Sequence, residues 1–221
     1  MVSYLSEKVA HANFTIDYLD CKASERNARM RFMHPDEIDE RTRRSLKASN
    51  RQAGAEFGYA LDPQSLPRQI LWRAKDKQAP DVLPGFVVSA RFRELVERLE
   101  GGVHQFVPVA LHRQKHDPAV AEYYWFVVCQ RIRTVDPKAT TWHWDEGGQF
   151  WTDLLLDRQT MDYTRIADAK LVYSESLAKG AHIWADPSVL TFAHRLCSES
   201  FAREAEAKAL TGLTITPRET V

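Results

Sequence analysis

A short pattern occurs twice in this chain, 109 residues apart, and it restricts the architecture more than any other feature. The first copy runs Val87-Val88-Ser89-Ala90-Arg91-Phe92, then a charged amphipathic stretch, Gly101-Gly102, Val103-His104-Gln105-Phe106-Val107 and Pro108. The second runs Leu196-Cys197-Ser198-Glu199-Ser200-Phe201, then an alanine-rich stretch, Thr211-Gly212, Leu213-Thr214-Ile215-Thr216 and Pro217. Serine to proline spans 19 residues in both. Each copy reads as short strand, serine-capped helix, glycine stop and short strand. A serine at the cap accepts a hydrogen bond from an orphan N–H of the first turn, worth ~1 kcal/mol. Phe92, Leu95, Val96 and Leu99 then fall at i, i+3, i+4 and i+7, one face of a helix. Burial of such side chains contributes roughly 1.5–3 kcal/mol each before entropy is counted. Arg91, Arg93, Glu94, Glu97, Arg98 and Glu100 occupy the other face, and the glycines supply a left-handed stop. In the second helix the stripe is Phe201, Ala202, Ala205 and Ala209, small enough to lie close to a sheet. Phe92 and Phe201 should both point inward. The glycine-to-serine spacing differs by one residue, so a duplication requires a one-residue slip. The alternative is that strand–helix–strand units converge on this appearance.

The 221 residues suit one globular unit, which we divide into an N-terminal region of strands, helix and connecting segment, 1–80, and a core, 81–221. A chain of that length buries roughly 70% of its unfolded surface, so no disulfide or metal staple is needed. Thirty basic and thirty acidic residues cancel, which argues against a nonspecific nucleic-acid binder. Cys21, Cys129 and Cys197 are odd in number and far apart; the latter two sit in apolar runs and read as core residues of a reducing compartment. The first residues lack a signal-peptide core, and no run approaches the ~20 apolar residues of a membrane span. The expected location is the cytoplasm.

Residues 1–20 read as one or two strands, and Arg29–Met33 as another. His34-Pro35 opens a helix whose early acids (Asp36, Glu37, Asp39, Glu40) and later bases (Arg41, Arg43, Arg44, Lys47, Arg51) suit the helix dipole. Residues 54–84 are turn-rich, with a strand or helix at Gln69–Trp72. Tyr123–Cys129 is the most apolar run and reads as a central strand buried on both faces, continued towards an edge by Arg131–Asp136. Thr140–Phe150 reads as a loop, Lys170–Tyr173 and Ile183-Trp184 as strands, and Ser188–Arg195 as a short helix. Strands and helices interleave without a regular β-α-β rhythm. The expected class is α+β, a mixed or antiparallel sheet with packed helices and two similar strand–helix–strand units.

Catalytic signatures are sparse. There is no phosphate-cradling glycine loop, nucleophile elbow or Cys-x-x-Cys pair. His112 and His116 are four apart, but they lie in a polar stretch ending at Pro118 that reads as loop rather than as a metal-binding helix face. His182 and His194 flank Trp184-Ala185-Asp186-Pro187 and read as capping or packing groups. No cofactor or metal is expected. The stretch holding Trp142, His143, Trp144, Asp145 and Trp151 is the best candidate contact surface. Tryptophans at i and i+2 face one side of an extended segment, and exposed aromatics anchor protein interfaces. The competing readings are a sugar platform, a metal corner at His143 and Asp145, or rings that simply cap the core.

Residues 81–95 (Asp81-Val82-Leu83-Pro84-Gly85-Phe86-Val87-Val88-Ser89-Ala90-Arg91-Phe92-Arg93-Glu94-Leu95), with Gly102-Val103-His104-Gln105-Phe106-Val107-Pro108-Val109, resemble the central signature of a bacterial immunity-protein family. So do Ile183-Trp184-Ala185-Asp186-Pro187, Leu196-Cys197-Ser198-Glu199 and Leu210–Pro217. The family is the eleventh of the immunity families in polymorphic toxin systems, formerly catalogued as a domain of unknown function. The resemblance covers about residues 80–217, and the tryptophan loop at 142–151 looks particular to this chain. It implies a non-enzymatic binding protein that occludes a cognate protein toxin, and it transfers no catalytic residue. Membrane and nucleic acid are not expected as partners. Two alternatives stay open: a small hydrolase or modifying enzyme using His143, Asp145, His182 or His104, and a regulatory nucleic-acid-binding module using the basic end of the 36–52 helix.

Overall fold

A computed structural model describes residues 1–7, 14–20, 62–74, 78–114, 118–145, 150–156, 160, 162–189 and 195–221. The strand expected at Arg29–Met33, the helix opening at His34-Pro35, Cys21, His116 and His194 lie outside the described residues. In chain order the elements are β1 (Val2–Glu7), β2 (Phe14–Tyr18), β3 (Gln69–Ala74), β4 (Val82–Leu83), β5 (Val87–Ser89), α1 (Ala90–Glu100), β6 (Gln105–His112) and β7 (Ala121–Val127). There follow β8 (His143–Asp145), β9 (Phe150–Thr152), β10 (Leu154–Leu156), β11 (Tyr163–Arg165), α2 (Glu175–Ala178), β12 (Ile183–Ala185), β13 (Arg195–Ser198), α3 (Glu199–Ala207) and β14 (Leu213–Pro217). The architecture is α+β and richer in strand than in helix.

Both serines cap their helices. Extended backbone at Ser89 (φ −72°, ψ 166°) and Ser198 (φ −73°, ψ 161°) lets each Oγ accept from the N–H three residues on. The distances are 3.3 Å to Phe92 N and 3.2 Å to Phe201 N. The helices lie between two sheets. One has strand order β2-β3-β6-β7-β5-β4, with β3 and β6 parallel and the other pairs antiparallel. The other, β12-β13-β1-β14, is antiparallel throughout. Strands β5 and β6 flank β7, and β13 and β14 flank β1. In each case the middle strand runs against both neighbours, so each strand–helix–strand segment is a β-α-β unit split by a strand from elsewhere in the chain.

Period-two alternation distributes side chains among three apolar clusters. From β7, Tyr123, Trp125 and Val127 enter one cluster with Ile70, Trp72, Val107, Val109 and Leu111. Tyr124 and Phe126 enter the middle cluster with Phe92, Leu95, Val96, Leu5, Ile183, Cys197, Phe201 and Ala205. Across the second sheet, Val2, Trp184 and Leu196 join Ile132, Val135, Tyr173 and Val189 in the third. Phe92 and Phe201 are both 0% exposed and meet edge-on, with ring centroids 6.0 Å apart. The alanine stripe of α3 is shorter than expected: Ala205 is buried, but Ala209 lies beyond the helix at φ 48° and is exposed.

Several expectations change. The Thr140–Phe150 segment is not a simple loop but carries β8 and the start of β9. Arg131–Asp136 does not extend β7; only isolated bridges form, at Arg131 with Ala185 and at Val135 with Tyr173. Lys170–Tyr173 likewise contributes a single bridging residue, Tyr173, because its neighbours hydrogen-bond to Thr140 and Thr141 instead. Of the helix expected at Ser188–Arg195, Ser188 is in a turn, Val189 bridges Trp151 and Arg195 opens β13; residues 190–194 lie outside the described residues.

Candidate partner-binding site

Strands β8 and β9 pair with Trp144 opposite Trp151 and His143 opposite Thr152. Directly opposed residues share a face. The two indoles meet edge-on at 5.2 Å between centroids. Trp151 ties the hairpin to the body: its N–H donates to Ser188 O at 2.6 Å, and Trp142 and Trp151 pack against the third cluster. The result falls between the two sequence readings. Trp142, Trp144, Trp151 and Asp145 are half-buried, and His143 is exposed. One flank of the tryptophan group caps the core and the other faces solvent. A second ribbon follows at once, β10 with β11, and it exposes Leu155 (45%) and Tyr163 (66%). Sequence reasoning missed it because three-residue strands show no measurable periodicity.

His104 and His182 are not on this hairpin. Both are held by Glu100, at the end of α1. The His104 ring is wholly buried; its Nδ1 accepts from Cys129 N at 3.3 Å, which assigns the proton to Nε2, 2.9 Å from Glu100 Oε2. The same carboxylate accepts the backbone N–H groups of His182 and Ile183. His182 Nδ1 lies 3.1 Å from Ser198 Oγ and 3.0 Å from Ser200 Oγ, at the cap of α3. The structure thus gathers His104 and His182 into a strut between the sheets and leaves His143 and Asp145 on the separate β8–β9 hairpin. Among the described residues no group of three or more His, Cys, Asp or Glu side chains could hold a metal ion.

Two further buried carboxylates join distant segments. Asp81 accepts from Ser89 Oγ at 2.7 Å, from Thr211 N and Oγ1 at 2.9 and 3.1 Å, and from Arg91 Nη1 at 3.3 Å. Asp186 accepts from Thr134 N at 2.6 Å, Val135 N at 3.0 Å and Ser188 N at 2.8 Å. Such multiply donated carboxylates are structural, because both oxygens already accept from groups of the chain itself. Beside Asp81, Gly212 (φ 77°) sits so close to the neighbouring segment that a Cβ would lie 2.1 Å from Val82 O. Burial, reinforced by the nearby Asp81 charge, pushes the Tyr123 hydroxyl up to about 12, and its O–H donates to Pro80 O at 2.9 Å. Burial also pushes the Cys197 thiol up to about 12, which removes it as a nucleophile at neutral pH.

No helix of the described residues is long and apolar enough to cross a membrane. No curated protein matches the chain. The model of the Immunity protein family (Imm11) matches residues 19–220, which includes both serine-capped units and the tryptophan hairpin, and the chain belongs to that family.

Proposed function

We propose that this protein neutralises a cognate bacterial toxin of a polymorphic toxin system by binding the toxin domain and covering its active site. It acts in the cytoplasm and catalyses no reaction. The observation that carries the reading is the family match over residues 19–220. The half-exposed tryptophans of the β8–β9 hairpin supply anchors of the type that dominates protein interfaces, with Trp142, His143, Trp144, Asp145 and Trp151 as the contact residues. The described residues of 1–80 and 81–221 serve as one platform, in which the two split units, alike in topology, form the rigid base. A standard interface buries on the order of 1,600 Å² in total. The balanced charge of the chain favours recognition by shape and local contacts over long-range steering.

The test is co-expression with toxin domains encoded beside the gene. Neutralisation and co-purification are expected, and Trp144→Ala should weaken capture by at least roughly tenfold, the usual effect of truncating an anchoring aromatic. A toxin that is neither neutralised nor retained by the wild-type protein would remove the proposal.

A further inference from the structure

The outer edge of β14 has a polarity that can be derived from its register. Ser3 faces Pro217, so Val2 faces Arg218, and Arg218 N donates to Val2 O at 3.0 Å. In an antiparallel pair, hydrogen-bonded and non-hydrogen-bonded positions alternate. Thr216 opposite Tyr4 and Thr214 opposite Ser6 therefore direct their N–H and C=O groups towards β1. Leu213, Ile215 and Pro217 direct theirs away from it. Among the described residues β14 ends the sheet, and no backbone hydrogen bond reaches those outward groups. The open stretch is bounded. At one end Gly212 abuts Val82, and Val82 N donates to Thr211 O. At the other end Pro217 has no N–H to offer.

The same strand borders an unfinished core. Ile215 lies opposite Leu5, which is 0% exposed, yet Leu210, Leu213 and Ile215 are only partly buried against the middle cluster. Thr214 and Thr216 on the other face are exposed. An added strand with an apolar residue at every second position would complete both the ladder and this margin.

We propose that β14 is the seat for an extended segment of the cognate toxin, which pairs with the backbone of Leu213, Ile215 and Pro217 as a fifth strand. This rests on the immunity reading above. The backbone count favours a foreign strand over a second copy. Five outward groups are available: two N–H donors and three carbonyls. A foreign strand can satisfy all five. In a two-fold pairing of β14 with itself, Pro217 cannot donate, so each copy keeps at least one outward carbonyl unpaired. The seat and the tryptophan hairpin lie at opposite edges of the second sheet, because Trp151 is tied to Ser188 and Val189 just beyond β12. Three inter-strand spacings, roughly 14 Å, separate these edges.

Amide hydrogen exchange tests this. The probe is the toxin domain encoded beside the gene, inactivated by substitution. In the free protein, Leu213 and Ile215 should exchange faster than Thr214 and Thr216, by roughly tenfold or more; in the complex they should slow by roughly a hundredfold while the threonines change little. Ile215→Pro removes one outward donor and leaves the ladder to β1 in place. It should lower the melting temperature by several degrees, through lost packing on the middle cluster, while the folded variant binds toxin roughly tenfold more weakly; Ile215→Ala, which loses the packing but keeps the donor, should match its melting temperature and bind better than it does, with Ile215→Val as the unaffected control. The seat is overturned if the toxin binds while Leu213 and Ile215 stay fast. It is also overturned if those amides are protected in the free monomer, or if their protection tracks dimer formation. If no neighbouring toxin binds, the immunity reading falls and the occupant of the seat falls with it.

Discussion

The first and second serine-capped units share a topology but differ in how far the chain completes them. Around β7, strand β6 has a further neighbour in β3, and both faces of the middle strand are buried. Around β1, strand β14 has no further neighbour among the described residues, and its apolar side chains are only half covered. The helix of the first unit presents Phe92, Leu95 and Val96 as a full apolar stripe, whereas that of the second buries Phe201 and Ala205. Their capping serines differ as well. Ser89 donates to a buried carboxylate, and Ser198 sits beside a half-exposed imidazole. Under the seat proposed above, the two units divide the labour: the one finished by the chain itself supplies stability, and the one left unfinished supplies the surface to be completed by another protein.

The comparison can be broken first at the helices. Phe92→Ala and Phe201→Ala should each destabilise by about 3–5 kcal/mol in chemical denaturation, the range for truncating a buried phenylalanine. Because the rings touch, the double variant should depart from additivity by about 1 kcal/mol. A neutral Phe201→Ala would mean that the second helix is not part of the same core.

Alkaline titration comes next and separates the units, since each holds a buried acid that burial keeps protonated. Cys197 is in the second and Tyr123 is in the strand that divides the first. Both keep their protons in the folded state up to about 12, whereas the unfolded chain releases them from about pH 9 and pH 10. The unfolded state then binds fewer protons, so stability is complete below pH 9 and falls as pH rises towards 12. Tyr123 alone accounts for about 3 kcal/mol of that fall. Urea midpoints measured across pH 8–12 should show it, and Cys197→Ala should delay its onset by about one pH unit.

The Asp81 junction is smaller in effect. Asp81→Ala leaves the half-buried Ser89 hydroxyl and the solvent-edge donors of Thr211 without their shared acceptor and should cost about 1–2 kcal/mol, with the loss visible in thermal melts. The smallest difference is between the caps. Ser198→Ala should cost ~1 kcal/mol, and Ser89→Ala more, because the latter also removes the donor to Asp81. Equal costs for the two would show that the carboxylate adds nothing to the first cap.

Much of this was readable from local pattern. The i, i+3, i+4 spacing of Phe92, Leu95 and Val96 and the serines before each helix report backbone requirements that operate within one turn, so sequence suffices for them. The apolar run from Tyr123 announced a strand buried on both faces for the same reason. What stayed hidden depends on partners far along the chain. Nothing around Asp81 indicates Thr211, 130 residues away, and nothing around Glu100 indicates Ile183, 83 residues away. The tryptophan segment was legible as a candidate surface, but its hairpin was not, because β8 and β9 are three residues each and are fixed by contacts to Ser188 and Val189. The assignment of β1 to a sheet with the C-terminal strands could not be read from alternation alone, which says which face is buried but not against what.

Pro217 has one more consequence. An open strand edge is ordinarily a template on which identical chains stack without limit, and the missing donor at this position, with Val82 crowding the opposite end, leaves room for one short guest and no orderly repeat. At this edge the protein is therefore a poor template for a fibril of its own copies.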